Sequence, residues 1–181
     1  VGRRLGHLDV RPGGNYVYGV IGARDAIGTY DPKDREITVI DTHDYSVKPA
    51  IKIPDSILGA FLLQVTSSPD GTRIYAIDNK NYLYFIDAQT HDILHSVQID
   101  DPEYLLGDVS DIDVLADNSA VMVAYQGYFV FYDTQSYAVI GGGNYPFHGS
   151  GVKSVRANPR PSRDINGTLV THQYFSCGTD S

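Results

Sequence analysis

The 181-residue sequence is poor in several residue types on which common kinds of site depend. Cysteine occurs once, as Cys177, so neither a disulfide within the chain nor a site built from paired cysteines is possible. Lysine and arginine number only 14 against 22 acidic residues, and the net charge of −8 argues against nucleic acid or an anionic membrane as a main partner. No apolar run reaches the roughly 18 residues that a membrane span needs. We therefore expect neither a nucleic-acid partner nor a membrane span.

Motifs of catalytic and metal sites are also missing from the sequence. It contains no G-x-S-x-G, HExxH or C-x-x-C-H segment. His91 and His95 lie four residues apart, but on a turn and a strand this spacing does not bring two side chains together as it would on a helix. Asp108, Asp111 and Asp113 lack the loop spacing of an EF-hand and fit the alternation of a strand equally well. We therefore expect no metal and no cofactor.

What the sequence does contain is a repeat. A tight turn followed by an apolar run occurs at residues 11–18, 68–75 and 115–122. Each is followed by a second apolar run that ends in an aspartate, and Asp41, Asp87 and Asp133 are spaced 46 residues apart. A unit of this length, made of strands and turns, has the size of one β-propeller blade. The predicted fold is all-β: a β-propeller fragment of about three and a half four-stranded antiparallel blades.

The repeat divides the chain into four units within one incomplete propeller domain. Their predicted bounds are 1–54, 55–100, 101–150 and 151–181. Alternating β-branched and aromatic residues between Gly, Pro, Asn and Asp turns predict strands A to D in each complete unit. The fourth unit has predicted strands at 152–159 and 168–175, separated by a polar turn at 160–166. The predicted strands of the first three units are 5–10, 16–21, 36–41, 46–53, 61–67, 73–77, 82–87, 92–99, 109–115, 120–125, 128–133 and 138–140.

The three aspartates at the ends of the C strands have a structural interpretation. The segments 41–45, 87–91 and 133–137 align position by position. An aspartate before a turn can accept hydrogen bonds from the following backbone N–H groups. We therefore predict that Asp41, Asp87 and Asp133 hold the turns between strands C and D.

The repeat resembles the YVTN-type β-propeller repeats. The resemblance rests on Ser68-Pro69-Asp70-Gly71-Thr72-Arg73-Ile74-Tyr75 followed by Phe85-Ile86-Asp87-Ala88-Gln89-Thr90, and it spans nearly the whole chain. It implies a propeller fold and an extracellular or periplasmic protein. It implies no single activity, because that superfamily holds lactonases, dehydrogenase heavy subunits, haem domains of nitrite reductases and surface proteins. The first two units are most similar to the amine-dehydrogenase heavy chain.

The number of units predicts the kind of partner. A closed propeller needs at least four blades, and an open stack leaves half-exposed cores at its ends. We expect the missing blades to lie on the same parent protein or on another chain, or copies of this chain to close the ring as a homo-oligomer.

Ligands of propellers usually bind at the face made by the B–C and D–A loops, so we expect a ligand site in these loops. The B–C loop of the first unit, residues 22–35, is 11 residues longer than its counterpart in the second unit. The predicted D–A loops are 55–59, 100–108 and 141–151. In a closed ring these loops would bring together a set of polar residues suited to a small polar or anionic ligand. This candidate ligand-binding set is Arg24, Asp25, Tyr30, Asp101, Glu103 and His148.

Two functions stay open at this point. The first is a non-catalytic propeller module for binding or assembly, within a larger secreted, periplasmic or cell-surface protein; its basis is a repeat scaffold without a catalytic motif. The alternative is a catalytic propeller, either a lactonase-like hydrolase or the heavy subunit of a periplasmic amine dehydrogenase. Its basis is the long loop at 22–35 and the family resemblance. The sequence does not decide whether the protein is an enzyme.

Overall fold

The computed structural model describes the backbone of residues 5–21, 35–54, 60–99, 109–125, 128–144, 162–163 and 169–170. Within these ranges the protein is built from β-strands and turns, without an α-helix, and thus without a helix able to cross a membrane. The chain forms two compact units, Val1–Pro102 and Glu103–Ser181. The first unit contains two four-stranded sheets, and the second contains one four-stranded and one two-stranded sheet.

Fourteen strands are formed by the described residues. Blade 1 consists of β1 (Leu5–Val10), β2 (Tyr16–Ile21), β3 (Glu36–Asp41) and β4 (Val47–Lys52). Blade 2 consists of β5 (Leu62–Ser67), β6 (Arg73–Asp78), β7 (Tyr82–Asp87) and β8 (Ile93–Gln98). Blade 3 consists of β9 (Val109–Val114), β10 (Ala120–Tyr125), β11 (Tyr128–Asp133) and β12 (Val139–Asn144). A last pair comprises β13 (Ser162–Arg163) and β14 (Leu169–Val170).

Each blade is an antiparallel meander, and the three blades share one register. Val10 pairs with Val17, Val17 with Ile40, and Ile40 with Val47. The same row in blade 2 is Ser67, Ile74, Ile86 and Ile93. In blade 3 it is Val114, Val121, Tyr132 and Val139. Because a shift of one residue would exchange the two faces of a strand, this identity of register makes positions in the three blades directly comparable.

The turns between the first two strands of each blade are equivalent as well. The backbone N–H groups of Gly14, Gly71 and Asn118 each donate to the carbonyl three residues earlier, at 2.8 Å. All three residues have a positive φ of 61–75°, which glycine adopts freely and asparagine tolerates better than most residues. The Pro-Asp-Gly and Ala-Asp-Asn segments therefore form the turns that their sequence predicts.

Two regions differ from the sequence prediction. Residues 141–143 were expected in a loop, yet they belong to β12 and pair with Phe129, Val130 and Phe131. Glycine weakens a strand, but here the aromatic residues of β11 cover it: a Cβ atom on Gly142 would lie 2.7 Å from the Tyr128 hydroxyl. The predicted polar turn at 160–166 also contains a strand, because Ser162 and Arg163 pair with Val170 and Leu169. The other residues of the predicted fourth-unit strands lie outside the described part.

The core of the first unit lies between blades 1 and 2. Strands β1 and β2 pack against β5. Apolar side chains of both blades meet there and are almost entirely removed from water, which is the main stabilising term for such a sheet pair. Blade 1 contributes Tyr18, Val20, Ile37, Val39, Ile51 and Ile53, and blade 2 contributes Leu62, Val65, Ile74, Ala76, Tyr84, Ile86 and Ala88.

Candidate functional site

The six candidate ligand-binding residues lie outside the described part of the structure. Arg24, Asp25 and Tyr30 fall within 22–34, Asp101 and Glu103 within 100–108, and His148 within 145–161. Their grouping at one face stays a prediction. Arg35, the last residue of the long first loop, is described and buried. Among the described residues, no three His, Cys, Asp or Glu side chains come together in a way that could hold a metal ion.

The aspartates at the ends of the C strands hold turns, as the sequence predicts. Oδ1 of Asp41 accepts the backbone N–H of His43, at 2.9 Å. Oδ1 of Asp87 accepts those of Gln89 and Thr90, at 2.8 and 2.9 Å. Asp133 is bound in the same way by its own turn. In each case the donated backbone hydrogen bonds are the main cause that lowers the pKa of the carboxyl group. These three groups are therefore structural.

The contact between blades 1 and 2, called the joint below, is closed at one end by polar bonds. Oδ2 of Asp9 accepts both the backbone N–H and the hydroxyl of Ser67, at 2.7 and 2.6 Å. Nε of Arg11 donates to the carbonyl of Gly71, at 2.9 Å, and the guanidinium also lies over the Tyr16 ring. These bonds join residues about 60 positions apart and fix the relative register of the two blades.

The Arg11 bond depends on a small residue in blade 2. In blade 1 the hydroxyl of Thr42 donates to the carbonyl of Gly14, and in blade 3 that of Thr134 donates to the carbonyl of Asn118. The equivalent residue of blade 2 is Ala88, which has no hydroxyl. The carbonyl of Gly71 thus takes its side-chain hydrogen bond from the neighbouring blade, through Arg11.

The other end of the joint holds a buried polar network. The hydroxyl of Tyr84 donates to Oδ2 of Asp78 at 2.8 Å, and Nη2 of Arg35 lies 3.5 Å from that hydroxyl and donates to the carbonyl of Pro54. Oδ1 of Asp78 accepts the backbone N–H groups of Lys80 and Tyr82, both at 2.9 Å. Burial is the main cause that raises the pKa of Tyr84, and the nearby carboxylate raises it further, so the phenol stays protonated.

A histidine near the joint makes stability depend on pH. His91 has a positive φ of 65°, at the position taken by Tyr45 and Tyr137 in the other blades. Burial lowers the pKa of His91, and the positive charge of Arg11 lowers it further. The unfolded chain, with a pKa of about 6.5, then binds the proton more readily than the folded one. The contribution of His91 to stability is complete above that value and falls as the pH drops through the folded-state pKa.

Replacing His91 with asparagine removes this dependence. Asparagine does not titrate and, like histidine, tolerates a positive φ, so His91→Asn is expected to keep the stability at neutral pH within about 1 kcal/mol of the wild type. Between pH 7 and pH 5, in denaturant titrations, the wild type loses more stability than the variant. Gln89→Asn, which changes an exposed side chain without a titratable group in the same turn, is the control and keeps the wild-type slope. Equal slopes for the wild type and His91→Asn would contradict the assignment.

The outer side of blade 1 exposes an apolar surface, called the rear face below. Its first row across the sheet is Val10, Val17, Ile40 and Val47, and its second contains Leu8, Gly19 and Thr38. Leu8, Val10 and Val47 are 48%, 56% and 70% exposed. Both faces of β2 carry apolar or aromatic residues, and this is the signal in the sequence that indicates the face, because a strand with one solvated side carries polar residues on that side.

The equivalent surface of blade 2 is covered. Ser67, Ile74 and Ile86 match Val10, Val17 and Ile40 by register, and they are 8%, 0% and 0% exposed. In the second row, Val65, Ala76 and Tyr84 match Leu8, Gly19 and Thr38 and are buried against blade 1. The rear face of blade 1 therefore corresponds in position to the surface of blade 2 that packs against blade 1.

Comparisons with known proteins support the fold. The structure is similar to a chain in the crystal structure of a mitotic checkpoint complex, with a TM-score of 0.65 and 15% sequence identity. The fold is that of a β-propeller. The match covers 88% of this chain but only 42% of the other, so this chain spans less than half of that propeller-containing chain. No family model and no curated protein matches the sequence. Because 1243 chains of solved structures match, the propeller by itself indicates no particular activity.

Proposed function

We propose that this chain is part of a non-catalytic β-propeller module for binding or assembly. The observation that carries the proposal is the rear face of blade 1. Leu8, Val10 and Val47 lie exposed there beside the half-buried Val17 and Ile40, in the register of a surface that is packed in blade 2. Contiguous exposed apolar patches on soluble proteins mark sites of interaction. The function supported best is therefore to hold another polypeptide against this face.

Four turn aspartates of the described blades also favour a structural role over a catalytic one. The carboxylates of Asp41, Asp87 and Asp133 are bound by turn amides, and that of Asp117 by the hydroxyl and amide of Ser119. Hydrogen bonds lower the pKa of each, and Ser119 does so for Asp117. A general acid or base needs a pKa near the working pH, so these four groups are unsuited to that task.

The location and the parent protein belong to the same proposal. The resemblance to YVTN-type repeats supports a place in a larger secreted, periplasmic or cell-surface protein. Fractionation of cells that make the protein checks this, with recovery outside the cytoplasm as the expected result.

Site-specific photo-crosslinking tests the proposal in cells that make the protein. A photoreactive amino acid at position 47, on the rear face, is expected to form an adduct with a polypeptide. The matched control is position 94, because Leu94 is also an exposed apolar residue of an outer strand but belongs to blade 2. Adducts at neither position, or equally at both, would contradict a binding role of this face.

An enzyme assay tests whether the module is non-catalytic, as proposed. Lactones, and primary amines with an electron acceptor, are expected to show no turnover above background. Turnover that disappears in Arg24→Ala or His148→Ala variants would favour the catalytic alternative and overturn the non-catalytic module.

A further inference from the structure

We propose that the partner held by the rear face is a separate polypeptide that places an arginine or lysine side chain against Tyr45 and Asp44, at one end of its own apolar surface. The inference rests on the proposed function and deepens it, because it states the chemistry of the partner. Tyr45 and Asp44, called the corner below, lie in the turn that leads into β4. They precede the exposed Val47 of the rear face by two and three residues.

The turn that carries the corner has an exact counterpart in blade 2. Asp41 and Asp87 each donate their backbone N–H to the carbonyl five residues later, at 2.9 Å. Tyr45 and His91 then occupy the same place in the two turns, with φ values of 57° and 65°. What lies near His91 in the joint therefore indicates what the partner brings to Tyr45.

The joint has a cation at this place. Arg11 reaches from blade 1 to the carbonyl of Gly71 in blade 2, at 2.9 Å. Its charge is near enough to His91 to lower the pKa of that imidazole, after the larger effect of burial. By continuity with the joint, Tyr45 is thus the residue of the rear face that meets the cation of a neighbour.

The residues of blade 1 suit a cation better than those of blade 2. An imidazole loses its proton more readily beside a positive charge, whereas the face of a tyrosine ring attracts one. The Arg11 guanidinium, 5.8 Å from the centre of the Tyr16 ring, shows this contact within blade 1 itself. Asp44 adds a carboxylate where blades 2 and 3 have Thr90 and Ser136. Both differences favour a basic partner.

The corner is accessible and keeps a negative charge. The Tyr45 residue is 83% exposed, and the side chain of Asp44 is 55% exposed. Hydrogen bonding from Ser46 lowers the pKa of Asp44, so its carboxylate is ionised at neutral pH. Lys48 lies 3.1 Å from Asp41 and 3.7 Å from Asp44. Because one lysine is shared by two carboxylates, one negative charge remains for a partner.

Charge also favours a separate polypeptide over a second copy. The 181 residues contain 22 acidic and 14 basic side chains, and their net charge is −8. A second copy would bring like charge to an acidic corner, whereas a basic partner is attracted to it and associates faster. The occupant is accordingly a basic polypeptide with an apolar surface that ends in a cation.

The yield of the adduct at position 47 tests the inference, in a dilution series of an extract of cells that make the protein. Tyr45→Ala is expected to lower this yield at least about fivefold, because it removes the ring face that holds the cation. Tyr45→Phe keeps the ring and stays within about twofold of the wild type. Tyr137→Ala makes the same change at the equivalent turn position of blade 3 and leaves the yield unchanged.

Asp44→Asn isolates the effect of the charge. The yield is expected to fall about two- to threefold at low salt, as for the loss of an exposed ion pair. At about 1 M NaCl, where exposed charges are screened, the variant equals the wild type. Since both corner residues are exposed, Tyr45→Ala and Asp44→Asn keep the wild-type midpoint of unfolding, which separates lost binding from lost folding.

A charge exchange identifies the basic residue of the partner. The partner segment joined to position 47 is sequenced by mass spectrometry, and each of its lysines and arginines is changed in turn to aspartate. Asp44→Lys alone is expected to lose the adduct. Combined with one of these changes it regains the adduct, because the two charges are then exchanged.

The outcomes separate this inference from the proposed function. Equal yields for the wild type, Tyr45→Ala and Asp44→Asn, or no exchange that restores the adduct, would overturn the cation at the corner. The adduct itself then still forms, and the proposed function stands. An adduct with a segment of this same sequence overturns the separate polypeptide as partner. Absence of any adduct at position 47 contradicts both.

Discussion

Replacing Asp78 with alanine lowers the free energy of unfolding by about 3–5 kcal/mol. The carboxylate is buried and accepts three hydrogen bonds, from the backbone N–H groups of Lys80 and Tyr82 and from the Tyr84 hydroxyl. Without it these three donors lose their partner inside the joint, and the Tyr84 hydroxyl beside Arg35 is no longer held by a carboxylate. The change in midpoint of a urea titration, at unchanged slope, measures the effect.

Two comparison variants separate the network from a general effect of removing an acid. Asp78→Asn keeps an oxygen that can accept the two backbone bonds, and it is expected to lose about half as much stability as Asp78→Ala. Asp92→Ala removes an exposed aspartate of the same blade and changes stability by no more than about 0.5 kcal/mol. If Asp78→Ala were no worse than Asp92→Ala, the buried network would not stabilise the joint.

The second large effect is expected at the opposite end of the joint. Asp9→Ala removes the acceptor of two short hydrogen bonds from Ser67, one of them from the backbone, and is expected to cost about 2–3 kcal/mol. Ser67→Ala removes only the hydroxyl bond. In the double variant the two losses do not add, and a coupling of about 1–2 kcal/mol measured by a double-mutant cycle shows the direct contact.

A surface acid of blade 1 is the control for Asp9. Glu36 lies 3.8 Å from Lys52, whose side chain is 80% exposed. Pairs of this kind contribute about 0–1 kcal/mol, so Glu36→Ala has little effect. Additive losses for Asp9→Ala and Ser67→Ala would show that the contact contributes nothing of its own.

How far the sequence predicts this fold can be seen from particular strands. The bounds of β2, β3, β7, β10 and β11 agree with the alternation and turn residues of the sequence. Strand β12 extends further than predicted, because the glycines at 141–143 have no strand preference of their own and are held by the aromatic residues of β11. The sequence therefore predicts the bounds of a strand well where that strand has its own apolar alternation and flanking turn residues.

The joint could not be predicted in the same way. Arg35 and Tyr84 are 49 residues apart, and Asp9 and Ser67 are 58 apart. Their contacts depend on how two sheets pack, which no short pattern contains. In the sequence, Tyr84 is one of several strand tyrosines, and Arg35 is the end of a polar loop. The repeat did make the rear face identifiable. Positions of blades 1 and 2 that match by register differ in burial, because those of blade 2 pack against blade 1.

Contacts within a blade join residues that are close in sequence, and contacts across the joint join residues that are far apart. This difference predicts the order in which the contacts form during folding. Neighbouring strands of a blade are linked by short turns or, between β2 and β3, by the loop at 22–35, whereas the joint closes loops of about 60 residues. Contacts that close short loops form first, because the entropy lost is smaller. Each blade is then a local folding unit, and docking of one on another is a late step. Weakening Asp9 or Arg11 should accordingly speed unfolding more than it slows folding.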